Sequence, residues 1–464
     1  MNRLRSNNIK IKEDKPKDES LKGFYTDITV INNQNAGNAG VGTGSRTTFL
    51  DLSCSNSGSK STGEEVVGLK ISKDNLLSVN DNIYINYTET AESLFNKAKK
   101  DSGISYENCH RYGMLDLFKN DDGKKRFNKS LSGGISIPFG YWTFDTSMSY
   151  SKERHIIDKV NKRKVEEEHF ATGKTESKSY GIDRVLYKGD KYKLNAGTRL
   201  KIKDKESYRG EEKNNGGEEG RTSNGSIYIN NTIYTKNGAL TIKPTYQRGL
   251  NWFGAKNDKD SHKEESKKDR DEKFEYDLIN LYLCFNTKVN IPLLTRDKEL
   301  KRKRLPLQYT VAVNSQYSFD NLYGSNQINI GGQGTVRGFM ESQISGDNGV
   351  YIKNDVGVRM LELVPEKLWK TKVMEQKRSY LFEESPKTIL SKTKLGIFYD
   401  IGYVKKYKQI DKDCFNDRYM MGTGVSLSYS GKYVNSTLTY SKSLHDPLKE
   451  KEKQAIYWEI GISW

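Results

Sequence analysis

From Arg46 to Trp464 one pattern recurs: apolar and polar residues alternate, run after run, between polar, charged or glycine-rich connections. Alternation of period two puts successive side chains on opposite faces of a strand, so each run is a strip of sheet with one greasy and one wet face. Leu307, Tyr309, Val311 and Val313 share one face, with Gln308, Thr310, Ala312 and Asn314 opposite. Tyr192, Leu194, Ala196, Leu200 and Ile202 oppose Lys193, Asn195, Arg199, Lys201 and Lys203 in the same way. The chain must therefore cover the apolar face of a very large sheet.

Composition narrows how. No apolar run approaches the roughly 20 residues that a membrane-crossing helix needs. A membrane barrel stays open, because its strands are only half apolar. Tyrosine is abundant at 29 residues, suiting strands and membrane interfaces, and proline, which interrupts ladders, numbers only 8. The net charge of +17 raises nucleic acid as a partner. The basic residues, however, are diluted among 60 acids and cluster in loop-like runs such as Lys263 to Lys273 and Lys298 to Arg304, which read as solvated loops. No nucleic-acid partner is expected.

Sixteen strand-like runs fall at 46–53, 64–73, 81–90, 129–138, 141–152, 166–187, 191–204, 222–236, 239–248, 275–292, 307–318, 349–362, 392–404, 419–430, 433–442 and 455–464. Connections alternate in length. Phe139-Gly140, Lys188-Gly189-Asp190, Asn237-Gly238 and Gly431-Lys432 are tight-turn sequences, whereas 91–128, 153–165, 205–221, 249–274, 319–348, 405–418 and 443–454 are long. Short turns at one end and long loops at the other mark an outer-membrane barrel over a soluble sandwich. Two connections on the short side, 293–306 and 363–391, break the rule, and the second reads as holding a helix around Glu366 to Glu375. The last run alternates Ile456, Trp458, Ile460, Ile462 and Trp464 up to the final residue, as a closing strand with interfacial aromatics does. The segment Asn2 to Asn33 is polar with one strand-like run, Phe24 to Ile31. A Gly- and Asn-rich stretch, Gln34 to Ser45, reads as a linker. Arg3 and Arg5 precede no apolar segment, so no secretory signal is expected within this chain.

No catalytic, metal or cofactor site is expected. Cys54, Cys109, Cys284 and Cys414 are far apart, the five histidines are scattered, and His445-Asp446 has no evident serine partner. The segment with chemistry is Gly331-Gly332-Gln333-Gly334-Thr335-Val336-Arg337-Gly338-Phe339. A glycine-rich lead-in delivers one arginine, a planar fork that seeks a carboxylate or phosphate. In the run 395–403 the apolar residues Leu395, Ile397, Tyr399, Ile401 and Tyr403 share a face. Gly396, Phe398, Asp400 and Gly402 then point the other way, and Asp400 is a carboxylate in mid-strand, where Asp is disfavoured. Gly396 and Gly402 leave space beside it for an incoming loop. The expected pair is Arg337 with Asp400, in a partly wet lumen.

Val336-Arg337-Gly338-Phe339 and Phe398-Tyr399-Asp400-Ile401-Gly402 resemble the VRGF/Y loop motif and the F-x-D-x-G strand motif of the insertase superfamily of outer-membrane barrels. Within it the chain is most similar to the two-partner secretion transporters (TpsB, haemolysin-activator type). Asp51 to Gly63, Tyr246 to Ala255 and Ser345-Gly346-Asp347 add to the likeness, which covers about residues 40–464. The resemblance implies an all-β, 16-stranded antiparallel transmembrane β-barrel in the outer membrane of a Gram-negative (diderm) bacterium. Its sixth extracellular loop folds inward and pairs the arginine with the strand aspartate. It implies export, without ATP, of an unfolded TpsA-type exoprotein (adhesin or haemolysin), and as further partners outer-membrane lipid and the barrel assembly machinery for insertion. Residues 1–38 then resemble the end of a periplasmic POTRA domain and linker, and 39–464 the barrel; the first POTRA domain, plug helix and signal peptide are not matched. Lys193, Arg199, Lys201 and Lys203 would line the lumen, and Trp458 and Trp464 would lie on the closing strand. A barrel-assembly factor of the same superfamily and a diffusion porin are the alternatives.

Overall fold

The structure is a computed structural model. It describes residues 9–14, 27–32, 47–91, 126–159, 168–209, 212–214, 219–258, 272–292, 304–340, 344–364, 385–406, 418–447 and 453–464. The linker Gln34 to Ser45 and the helix expected around Glu366 to Glu375 lie outside these.

Sixteen antiparallel strands close into one barrel. The first eight are β1 (Thr48–Ser55), β2 (Val66–Asp74), β3 (Asn82–Thr90), β4 (Phe127–Phe139), β5 (Trp142–Lys159), β6 (Glu168–Lys188), β7 (Tyr192–Arg209) and β8 (Gly220–Thr235). The second eight are β9 (Gly238–Leu250), β10 (Asp277–Pro292), β11 (Arg304–Ser318), β12 (Asn348–Arg359), β13 (Thr393–Lys405), β14 (Tyr419–Ser430), β15 (Val434–His445) and β16 (Gln454–Ser463). Each pairs with its chain neighbour, and β16 pairs with β1 from Glu459↔Ser55 to Ser463↔Asp51. Trp464 extends that seam by exchanging backbone hydrogen bonds with Leu50 in both directions. A separate hairpin pairs Ile9–Asp14 with Asp27–Asn32.

The alternation read from the sequence sets which face is which. Along β13 inward residues are buried and outward ones exposed almost without exception, with Phe398 at 4% and Ile397 at 58%. Leu52, Ile71, Met148, Ile229, Leu438 and Ile460 are exposed on the outer wall, far more apolar surface than a water-soluble sheet leaves uncovered. Lipid is the solvent that fits such a belt. Among the described residues no helix is long and apolar enough to cross a membrane; the strands do the crossing.

All sixteen expected strands are present, and the largest differences in their extent have one cause. β5 and β7 run to Lys159 and Arg209, where the sequence pattern ends at 152 and 204, and β6 is 21 residues long. A tilted strand spans a bilayer in about 9–11 residues. Beyond the hydrocarbon neither face needs to be apolar, so segments such as Lys205 to Arg209 keep the ladder and lose the pattern. The run placed at 349–362 instead ends at Arg359 and continues as a helical turn, α1 (Met360–Leu363). The long connection that follows also holds α2 (Pro386–Lys392), started by Pro386 and by the Ser385 hydroxyl, which accepts from the Thr388 amide.

The face assignment has a measurable consequence. Ile397→Lys puts a charge on the lipid side near the middle of β13 and should lower stability by about 2–4 kcal/mol. Ser149→Lys, on the lumen side of β5, should cost far less. Urea titrations of barrels folded into lipid vesicles measure both, and equal losses would contradict the assignment.

Candidate functional site: an inward loop pinned by Arg337

The connection from β11 to β12, residues 319–347, is the sixth loop at its end of the barrel, counting from 56–65 between β1 and β2, and it enters the barrel. Ile328–Ile330 pairs with Ile344–Gly346 in a short hairpin. Asp347, fully buried, holds the loop base by accepting from the Leu322 amide at 2.8 Å and the Gln327 side chain at 3.2 Å. Ile328, Ile330, Val336 and Phe339 from the loop pack with Val404 of β13 and Met420 of β14. A small hydrophobic core thus stands inside the barrel against its β13–β14 wall.

Arg337 lies beyond this core. Its Nε and Nη2 donate to the two oxygens of Asp400 at 2.6 and 2.7 Å, and its backbone amide adds a third bond to Asp400 at 3.1 Å. Its Nη1 reaches Asp355 of β12 at 2.8 Å. The Asp400 side chain is fully buried and that of Arg337 is 9% exposed. Nearby, Lys353 Nζ donates to the carbonyls of Gln333 and Gly334 at 3.0 and 3.4 Å. Two cations and two carboxylates therefore sit together with no net charge.

Strand register builds the seat. Asp400 faces Gly422 of β14, and Phe398 faces Gly424. A Cβ on Gly424 would come within 2.7 Å of the Phe398 ring, which occupies the space glycine leaves. The guanidinium carbon of Arg337 in turn sits 3.6 Å from the centre of that ring, a cation–π stack. A Cβ on Gly422 would come within 1.6 Å of the Arg337 carbonyl oxygen. Gly338 has φ +116°, a value that favours glycine, and a Cβ there would strike the backbone of Lys442 and Ser443 on β15. Gly402 likewise gives way to Ile330 and Val336.

The expected residues mostly converge. Val336, Arg337, Gly338, Phe339, Phe398, Asp400 and Gly402 form one cluster. Three readings need correction. Gly396 makes no room for the loop, since the space beside it belongs to Ser426 of β14. Asp400 shares the arginine with Asp355, a polar residue in a polar run that no sequence signal separated from its neighbours. The Arg337–Asp400 pair is more deeply buried than a partly wet lumen implies, with Asp400 fully buried and Arg337 9% exposed, while Asp355 keeps 32% of its side chain exposed.

Lys193, Arg199, Lys201 and Lys203 stand apart, on the inward face of β7. Arg199 donates to Asp145 of β5 at 3.1 Å, and on neighbouring strands Tyr228 bonds Asp183 while Lys243 lies over the Tyr228 ring. Trp458 lies on β16 and Trp464 directly follows it; the Trp458 amide is capped by the Asn56 side chain at 2.8 Å. A polar cavity of 740 Å³ remains between Gly331–Gly334, the first outer loop at Asn56–Thr62, and the walls at Asn128, Glu153 and His155.

A buried ion pair breaks expensively, because removing one partner strands the other's charge. Arg337→Ala or Asp400→Ala should each lose about 3–5 kcal/mol, and the double variant should lose far less than the sum. Arg337→Lys should rescue little, since an ammonium cannot span both carboxylates and stack on Phe398. Unfolding titrations of the four proteins give the coupling, and additive losses would show that the two residues act separately.

The chain can now be set beside known proteins. The family model "Haemolysin secretion/activation protein ShlB/FhaC/HecB" matches residues 42–374. The outer membrane transporter CdiB of Dickeya dadantii (strain 3937) is 26% identical over 312 residues, covering 66% of this chain and 45% of that protein. CdiB of Escherichia coli is 23% identical over 308 residues, 66% of this chain and 43% of that protein. The match thus spans somewhat under half the length of these curated relatives. In fold, the chain resembles the solved structure of CdiB from Escherichia coli, with a TM-score of 0.70 at 18% identity over 100% of this chain and 69% of that one. For CdiB from Acinetobacter baumannii the TM-score is 0.65 at 16% identity, over 99% and 66%. The chain belongs to the haemolysin secretion/activation family ShlB/FhaC/HecB, a family of outer-membrane transporters and not of enzymes.

Proposed function

We propose that this barrel is the conducting element of a two-partner secretion system and exports a large TpsA-type exoprotein in unfolded form. The observation that carries this reading is the glycine-rich loop folded into the lumen and pinned by Arg337 to Asp400 and Asp355. A loop built this way is held against β13 and β14, with a polar cavity beside Gly331–Gly334. The opposite wall, from β5 to β9, is polar on its inner face and carries Lys193, Arg199, Lys201, Lys203 and Lys243. Such a wall hydrates an extended chain and offers many weak contacts in place of one tight site, which transport requires.

Family membership supports export over plain diffusion, and the exoprotein is of the adhesin or haemolysin class. No ATP is consumed; folding of the exoprotein outside the cell supplies the direction. The hairpin of Ile9–Asp14 and Asp27–Asn32 is read as the end of a POTRA domain leading through a linker into the barrel at residue 39. Insertion falls to the barrel assembly machinery, and outer-membrane lipid surrounds the apolar belt.

Co-expression with a candidate exoprotein tests the reading. Wild type should release that protein into the medium, and Arg337→Ala should abolish release while remaining a folded, heat-modifiable barrel in the outer membrane. Normal export by Arg337→Ala would remove the loop's role. Large steady ion conductance with no export by wild type would remove the transporter reading itself.

A further inference from the structure

Arg337 is one of two anchors on the loop tip. The second comes from the closing strand. Tyr457 of β16 is 1% exposed and points inward, opposite the lipid-facing Ile456. Its hydroxyl accepts from the amides of Gly338 and Phe339 at 3.1 and 3.2 Å and donates to the Phe339 carbonyl. One phenol thus meets three backbone groups of a turn that has no ladder partner of its own. Buried backbone groups without partners are costly, so this contact decides whether the tip can stay buried where it is.

The strand that carries Tyr457 is itself gripped at the same place. Asn56, just past the end of β1, donates from Nδ2 to the Ile456 carbonyl at 2.6 Å and accepts the Trp458 amide on Oδ1 at 2.8 Å. Its side-chain amide continues the β1–β16 ladder where the backbone of β1 turns away. The residues on either side of Tyr457 are therefore fixed to β1, and Tyr457 carries that fixed point through the wall to the loop.

We infer that Tyr457 is a positioning residue for the inward loop, independent of the Arg337 cluster, which ties the Gly338–Phe339 turn to the closing seam of the barrel. The inference rests on the transporter reading only for its effect on export, not for its geometry. Tyr457→Phe keeps the ring and its packing and removes only the hydroxyl. Arg337, Asp400 and Asp355 keep every contact.

Hydrogen–deuterium exchange on the full chain in lipid nanodiscs reads the anchor directly. In wild type the amides of Gly338 and Phe339 should be among the slowest in 331–340. In Tyr457→Phe they should exchange roughly tenfold faster, the equivalent of about one hydrogen bond, while β13 amides keep their rates. Export of the exoprotein should fall in the same variant. Unchanged exchange at 338–339 overturns the inference even if export falls, since packing alone would then explain the loss. If the variant does not assemble, the wild-type rates still decide: unprotected amides at 338–339 overturn the inference, and protected ones that lose protection in Asn56→Ala support it. Absence of export by wild type leaves the exchange result standing and counts against the transporter reading alone.

Discussion

The barrel's interior is organised around a charge that cannot be left alone. Arg337 is buried with Asp400 at its fork and Asp355 at its remaining nitrogen, and a loop of nearly thirty residues is positioned to keep it there. Burial makes the interaction strong in one sense only. Two hydrophobic residues in the same space would hold as well, but removing one charge from a dry pair strands the other. The arrangement therefore acts less as glue than as a penalty on every other loop position. It also explains the glycines. Gly424 admits the Phe398 ring, that ring supports the guanidinium, and Gly422 admits the loop backbone. These contacts lie on facing positions of β13 and β14, so a slip of one residue in the register would send every one of them to the lipid side.

The loop packs mainly against one wall. Its core and its charges engage β12 through β16, and at its base Leu322 packs with Tyr276 and Leu278 at the start of β10. The opposite wall, from β5 to β8, holds its charges in local pairs, such as Arg199 with Asp145, which lie along the wall. An inner surface divided in this way has a packed half that sets shape and a hydrated half that stays polar without presenting a deep binding site. This division follows from where the apolar residues of the loop are, since Ile328, Ile330, Val336 and Phe339 require a partner surface and find it at Val404 and Met420.

Much of this was legible in the chain. Alternation gave the strands and their faces because lipid on one side and water on the other impose it residue by residue. It failed past the apolar belt, where Glu153 to Lys159 and Lys205 to Arg209 stay in the ladder with no solvent contrast to mark them. Arg337 and Asp400 were legible because each breaks a local preference: an arginine after three glycines in the six residues before it, an aspartate in mid-strand. Asp355 is also in mid-strand, but the polar stretch Lys353-Asn354-Asp355 does not set it apart from its neighbours. Tyr457 is one tyrosine among 29 and becomes distinct only through its register on β16. Gly396 shows the converse error. A glycine on the right face looked like space for the loop, and the space belonged to a neighbouring serine.

The two anchors differ in how they respond to water, and this shapes what the loop can do. The phenol contact is a set of neutral hydrogen bonds, which water can replace group by group at modest cost. The arginine cluster depends on dryness. Buried beside the apolar residues Val336 and Phe339, the Arg337–Asp400 pair resists displacement by several kcal/mol, while the same pair in a wet lumen would be worth about 1 kcal/mol or less. Any event that brings water to Asp400 thus weakens the strongest restraint on the loop before a single covalent or conformational step has occurred. The apolar cap of Val336 and Phe339 is then the part that controls the charge. It is held in turn at Phe339 by Tyr457 and at Val336 by the space over Gly402. A strut of this construction is stiff while its cap is seated and soft once the cap is lifted, and the side chain that seats the cap belongs to the strand that closes the barrel.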